Sequence, residues 1–360
     1  MELGIIGLPT CGKTTVFNAL TGGDRPTAAA STGRMELYRA VVDVPDERVD
    51  KLSALLEPRK TTYAKVTYLD IAGLDQGISK SGISGQLRNQ IATVDAFVHV
   101  VRGFESPRVP HPLESVDPQR DLDLLHTEML LVDLITVENR LLRIDEGLQK
   151  GARGAERQLL QDEWQLFERL KEALEAEQPL RDLDLTADEH EILRGFGLLT
   201  LKPTLILLNA GEEPVRAGEI LHYDHQETIL LSLRGKLEME IAQLPPEDAE
   251  IFMEEYNIEE SALKRVIQTS YNLLNLISFF TGNEDEVRAW TLRRGGTALD
   301  AAGTIHTDLA RGFIRAEVIN FETLMEVGTL AEARKAGLLR LEGKDYVVQD
   351  GDLIYVRFSI

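Results

Sequence analysis

Along the first 120 positions, short apolar runs alternate with polar stretches. Leu3–Ile6, Ala64–Leu69 and Ala96–Val101 are mainly apolar runs that read as buried strands. Thr14–Leu20 and Gln86–Thr93 lie between them with helical spacing. This alternation predicts an α/β parallel sheet with helices on its faces. From Asp121 to about Leu174 the period changes. Leu122, Leu125, Met129, Val132, Ile135 and Leu142 recur at threes, fours and sevens, and so do Leu159, Trp164, Phe167, Leu170 and Leu174. Gly147, Gly151 and Gly154 interrupt this run and predict a bend between two long helices. An antiparallel hairpin or coiled coil fits the pattern, and so does an ordinary surface helix pair. Strand-like runs return at Thr204–Leu208 and Thr228–Leu231, which makes the helical stretch an insertion. Beyond Ile277, Val287–Leu292, Phe313–Val318, Tyr346–Val348 and Leu353–Phe358 read as short strands of a small α+β domain. The expected division is residues 1–120 with 200–276, an inserted helical domain over 121–199, and a last domain over 277–360.

With 360 residues and 43% apolar residues, the chain has material for two or three cores. It contains no apolar run of about 18 residues, so no membrane span is expected. Met1–Gly4 has no basic stretch ahead of the apolar Leu3–Ile6, which reads as a first strand and not as a secretory signal. Cys11 is the single cysteine, so a disulfide within the chain is impossible and a reducing, cytoplasmic setting fits. The net charge of −21 repels free nucleic acid over most of the surface. Basic residues cluster only briefly, at Arg288–Arg294 and Arg311–Arg315. The chain thus offers no extended basic surface, and RNA would be met through a local patch or through protein partners.

Gly7-Leu8-Pro9-Thr10-Cys11-Gly12-Lys13-Thr14 fits GxxxxGK[ST], follows an apolar strand and opens a helix. In such a loop the backbone N–H groups of residues 8 to 15, Thr15 included, face the phosphates of a nucleotide, aided by the positive end of the helix. Lys13 should bridge the β- and γ-phosphates, and the Thr14 hydroxyl should ligate Mg²⁺. Asp70-Ile71-Ala72-Gly73 follows the strand Ala64–Leu69. Asp70 is placed to hold the Mg²⁺ through water, and the Gly73 N–H to sense the γ-phosphate and order the next loop.

Asn209-Ala210-Gly211-Glu212 stands where a GTPase carries Asn-Lys-x-Asp. Ala210 lacks the lysine stem that lies along a base. The extra methylene of Glu212 moves the carboxylate that would accept from guanine. Strict GTP specificity is therefore not expected. Ser232-Leu233 is either the loop that closes over the base or an ordinary strand end. Leu74 follows Gly73, where Ras-like enzymes carry the glutamine that orients the attacking water, so intrinsic hydrolysis should be slow. His111, between Pro110 and Pro112, is a candidate to orient that water, with a solvated loop histidine as the alternative. His222-x-x-His225 lacks a second pair to complete a metal site. His306 and Asp308 lie far in sequence from the phosphate loop.

These residues resemble the Obg-like ATPases of the YchF type, over nearly the whole length. The likeness rests on Gly7–Thr15; on Asp70–Leu74 with Gly77, Ser79-Lys80 and Gly82; on Val94-Asp95-Ala96, Val100-Val101-Arg102 and Asn209-x-x-Glu212. It continues through Trp290, Gly303, Ile305–Asp308, Gly312–Glu317 and Lys344–Val348, which are similar to a TGS domain, a ubiquitin-like β-grasp module. The resemblance implies a P-loop NTPase sheet with an inserted coiled-coil hairpin and a C-terminal β-grasp domain. It also implies ATP in preference to or alongside GTP, Mg²⁺ as cofactor, a catalytic role for His111, and a ribosomal partner. The alternative to a slow ATPase is a nucleotide-gated binding module whose hydrolysis is incidental. The chain departs from the family at Thr10-Cys11, where Asn-Val is usual, and over the first switch, Asp24–Tyr38. There Thr27, Ser31 and Thr32 all compete for the usual threonine's place. Cys11 is either a redox-sensitive thiol at a helix N-terminus or a small packed residue.

Overall fold

The computed structural model describes residues 1–23, 37–71, 85–256, 258 and 261–359. Its strands in chain order are β1 (Glu2–Ile6), β2 (Leu37–Asp43), β3 (Lys60–Thr62), β4 (Lys65–Ile71), β5 (Ala96–Gly103), β6 (Thr204–Ala210), β7 (Thr228–Leu233), β8 (Leu276–Gly282), β9 (Glu286–Arg293), β10 (Phe313–Asn320), β11 (Arg340–Glu342) and β12 (Asp352–Phe358). The helices used below are α1 (Lys13–Thr21), α2 (Glu47–Leu56), α3 (Gly85–Ala92), α4 (Pro118–Gln149) and α5 (Gly154–Glu175). The chain forms two compact units, one of Met1–Ala40 with Thr67–Leu263 and one of Val41–Val66 with Lys264–Ile360.

The first unit is built on a sheet of order β2-β4-β1-β5-β6-β7, with β4, β1, β5, β6 and β7 parallel. The apolar runs of the sequence become its central strands. Leu3, Ile5, Phe97, Val98 and Leu205–Leu208 are fully buried, because helices cover both faces of a parallel sheet. The long-period segment forms α4 and α5. Gly147 lies inside α4, facing Leu160 of α5, and the chain turns at Gly151 (φ +93°) and Gly154 (φ +57°). Arg140–Glu163 and Lys171–Glu138 pairs mark the antiparallel register of the hairpin.

The helical insertion packs into the first unit and does not stand apart from it. Leu125, Met129 and Val132 of α4 join Ile6, Leu69, Phe97 and Leu199 in one core. Asp133, wholly buried, accepts from the Leu199 and Thr200 N–H groups (2.8 and 2.7 Å) and from the Thr200 hydroxyl (2.7 Å). Burial outweighs these donors and raises its carboxyl to about 6. Lys202 donates to Ala92 O (2.6 Å) and to Val94 O, and burial lowers its ammonium to about 8.

The second unit is a mixed sheet of order β11-β10-β12-β8-β9-β3. β8 and β9 form an antiparallel hairpin, and β12 returns parallel to β8 and antiparallel to β10, as in a β-grasp module. The helix Ala298–Ile305, opened by a Thr297–Asp300 capping box, lays Ala298 and Ala301 against Phe279, Val318 and Ile354. Two expectations change here. Tyr346–Val348 is not a strand; within it only Val347 bridges, to Thr297. Residues 41–66, assigned to the first domain by the pattern, belong with the C-terminal residues. The reason lies in long-range pairing: β3 runs parallel to β9 in the register Lys60–Glu286, Thr61–Val287, Thr62–Arg288. Among the described residues no helix is long and apolar enough to cross a membrane.

Candidate nucleotide-binding site

The loop from β1 to α1 takes its shape from two glycines. Gly7 has φ +151°, and a Cβ there would stand 2.3 Å from Val100 O and 2.7 Å from Cys11 Sγ. Gly12 has φ +98°, and a Cβ would meet Asn209 Nδ2 at 2.2 Å. No other residue type fits either position. Gly12 caps α1 without a side-chain hydrogen bond, which turns the first-turn N–H groups toward an anion. Lys13 is buried and donates to Gly7 O (3.0 Å) and Leu8 O (2.9 Å), so its ammonium sits within the curl of the loop. Leu8 and Cys11 are buried, whereas Pro9, Thr10, Thr14 and Thr15 are half-buried.

The Thr14 hydroxyl donates to Asp70 Oδ2 at 3.2 Å. Asp70, 2% exposed, is the penultimate residue of β4 and lies beside Ile5 of β1. A hydroxyl and a carboxylate oxygen thus converge next to the phosphate loop, a donor pair that suits a small hard cation. Gly73, Leu74, Gly77, Ser79, Lys80, Gly82 and the first-switch candidates Thr27, Ser31 and Thr32 lie outside the described residues.

Asn209, at the end of β6, is 3% exposed. Its amide donates to Cys11 O at 2.9 Å and its Oδ1 accepts the Gly235 N–H at 3.1 Å. A Cβ on Gly235 would stand 2.5 Å from that oxygen. One side chain therefore ties the phosphate loop to the loop after β7. Ala210 is buried at the strand end and Glu212 is exposed on the loop beyond it. Ser232 spends its hydroxyl on Val215 O, and Leu233 is buried. From this strand it is Arg234-Gly235, one step further, that reaches the Asn209 brace.

His111 has a side chain only 3% exposed. Its Nδ1 accepts the Leu113 N–H (3.1 Å), so the proton is on Nε2, which donates to Asp121 Oδ2 (2.7 Å). Asp121, in the first turn of α4, also accepts from Arg120. Both ring nitrogens are engaged, and orienting a water would require His111 to leave Asp121.

The structure brings two further residues, Arg102 and Phe104, against the loop. Arg102, the penultimate residue of β5, is 1% exposed. It donates to Phe104 O (3.0 Å), Thr10 O (3.3 Å), Thr10 Oγ1 (3.0 Å) and Val109 O (2.7 Å), and lies over the Phe104 ring at 4.5 Å. Burial lowers its pKa. Phe104 flanks both loops: a Cβ on Gly12 would come within 3.9 Å of its ring and one on Gly211 within 3.7 Å of its own Cβ. The available signal was an arginine directly after the apolar pair Val100-Val101, near the end of a buried strand. His99, three residues earlier on the same strand, is held neutral; burial, with His126 and Lys13 pushing the same way, takes it to about 3. Of the remaining histidines, His225 pairs with Asp182 at 2.7 Å, and His306 caps the short helix Thr307–Arg311.

Residues 2–140 match the family model of the 50S ribosome-binding GTPases, and residues 276–359 match the YchF-GTPase C-terminal model, described as a protein of unknown function. The Bacillus subtilis protein named ribosome-binding ATPase YchF is 39% identical over all of both chains. Its Escherichia coli O157:H7 counterpart is 38% identical over 100% of this chain and 99% of that one. The solved Schizosaccharomyces pombe YchF GTPase superposes with a TM-score of 0.84 at 33% identity, covering 99% of this chain and 97% of that one.

Proposed function

The chain belongs to the YchF family of P-loop nucleoside triphosphatases, and from that premise we propose that it hydrolyses the γ-phosphate of ATP slowly, with GTP accepted alongside, in association with the ribosome. The carrying observation is the phosphate loop closed around Lys13 and braced from behind by Asn209. Loop amides and Lys13 offset the charge that develops on the transferring phosphoryl group. Thr14 and Asp70 would hold Mg²⁺, which when bound would neutralise phosphate charge.

Base selection falls to the Asn209–Glu212 segment. Without a lysine stem at Ala210 and with a glutamate in place of aspartate, the segment does not grip guanine by the usual pair of bonds. Hydrolysis is slow because Leu74 cannot orient water, and because His111 must first exchange its bond to Asp121 for one to water. That bond also favours a second reading, in which nucleotide gates binding and turnover is incidental. Single-turnover hydrolysis with and without ribosomes, in wild type and His111→Ala, separates the two. A rate that rises with ribosomes and falls in the variant supports the first. Equal rates in all four samples refute it. Calorimetric ATP and GTP affinities within about tenfold of each other are expected; a GTP preference of about a hundredfold would overturn the base assignment.

A further inference from the structure

We propose that Arg102 is a positioning residue for hydrolysis: its guanidinium locks the phosphate loop and the His111 loop at one fixed spacing. The inference rests on the role proposed above for His111.

The first ground is the cost of placing the residue where it is. Arg102 follows Val100 and Val101 in a buried strand and is itself 1% exposed. An apolar residue would satisfy the fold there, while a buried guanidinium carries a desolvation penalty that only a full set of acceptors offsets. All of its acceptors come from two loops, Thr10 on one side and Phe104 and Val109 on the other. They are carbonyls and one hydroxyl; among the described residues no carboxylate pairs with it. Glu105 and Asp121 act on the guanidinium only through space, without a hydrogen bond to it, so its donors all serve the two loops.

The second ground is strain. Thr10 has φ +61°, a left-handed conformation that a β-branched residue adopts at a cost. Arg102 takes both oxygens of this residue, carbonyl and hydroxyl, and so holds the strained turn. The third is stiffness. Val109, the residue Arg102 grips at 2.7 Å, is followed by Pro110, His111 and Pro112. Proline fixes its own φ and restricts the residue before it, so pinning Val109 also sets the direction in which His111 leaves the backbone. A lysine has no planar fork and cannot serve both loops at once.

The test is a double-mutant cycle on the full chain. Single-turnover ATP hydrolysis is measured in wild type, Arg102→Lys, His111→Ala and the double variant, with calorimetric affinity for a non-hydrolysable ATP analogue and melting temperature alongside. Arg102→Lys should slow hydrolysis about tenfold or more, with analogue affinity changed less than about fivefold, and should slow the His111→Ala protein less than about threefold. An equal slowing in both backgrounds overturns the inference and leaves the role of His111 standing. A His111→Ala protein as fast as wild type overturns both together. If Arg102→Lys does not fold, Thr10→Ala, which removes one acceptor and leaves the guanidinium, should slow hydrolysis about threefold in wild type only. Slowing in both backgrounds counts against the proposal.

Discussion

Arg102 in the nucleotide-binding unit and Arg48 in the C-terminal unit are both taken largely out of water, and their surroundings meet that cost in opposite ways. Arg48 forks between Asp46 (2.8 Å) and Asp350 (2.9 Å) and lies over the Phe280 ring at 5.2 Å. Burial opposes its charge, but the hydrogen bonds to the two carboxylates prevail and its pKa is raised. Asp350 also accepts the Ser278 N–H, so the cluster staples α2 to the C-terminal sheet. Among the described residues Arg102 is hydrogen-bonded by neutral acceptors alone, and burial lowers its pKa against the pull of Glu105 and Asp121. The whole units repeat the contrast. Residues 41–66 and 264–360 hold 17 basic and 18 acidic side chains, near balance; the rest of the chain holds 22 and 42. In a strongly acidic unit, a carboxylate at Arg102 would cancel the charge and repel a triphosphate. A paired arginine secures structure; an arginine held by neutral acceptors leaves its charge for a ligand.

The comparison breaks first at the phosphate loop. Lys13→Ala should lower kcat/KM by about a thousandfold, about 4 kcal/mol, with the denaturation midpoint unchanged. Phosphate release beside a urea titration measures both, and turnover within tenfold of wild type would empty the site assignment. Acid sharpens the contrast next, because six of the seven histidines belong to the nucleotide unit. His99 is held down at about 3 when folded, so below its ordinary value near 6.5 only the unfolded chain takes the proton. Stability is full above that pH and falls on acidification, by about 3 kcal/mol from pH 7 to pH 4. Asp133, raised to about 6, pulls the other way between pH 4 and 6. The difference between wild type and His99→Gln isolates the histidine; parallel stability curves would refute it.

Asn209→Ala removes the brace between Cys11 O and Gly235 N and should weaken ATP-analogue binding by about 2 kcal/mol, roughly thirtyfold, in calorimetry. The smallest effect is expected at Arg48→Met. Its carboxylates are partly solvated, so unfolding should cost about 1 kcal/mol less, with turnover within about twofold of wild type. A tenfold loss of turnover would end the division of labour between the two arginines.

The local elements were legible in the sequence because local rules govern them. Gly7-x-x-x-x-Gly12-Lys13-Thr14 specifies its own turn through residues that alone tolerate those dihedrals and close approaches. Short, mainly apolar runs specified the central strands, and a period of threes and fours specified α4 and α5. The pattern did not reveal which element belongs with which. β3 is three residues long and mostly exposed, and nothing local marks it as partner to Glu286–Arg288, more than two hundred residues away. Hydrogen-bond partners across such distances are chosen by the folded chain, since a backbone amide is the same whatever strand it meets. The roles of Arg102 and His111 were likewise left to tertiary structure. Sequence shows an arginine and a histidine, but acceptors drawn from separate loops decide whether either charge or ring is free to act.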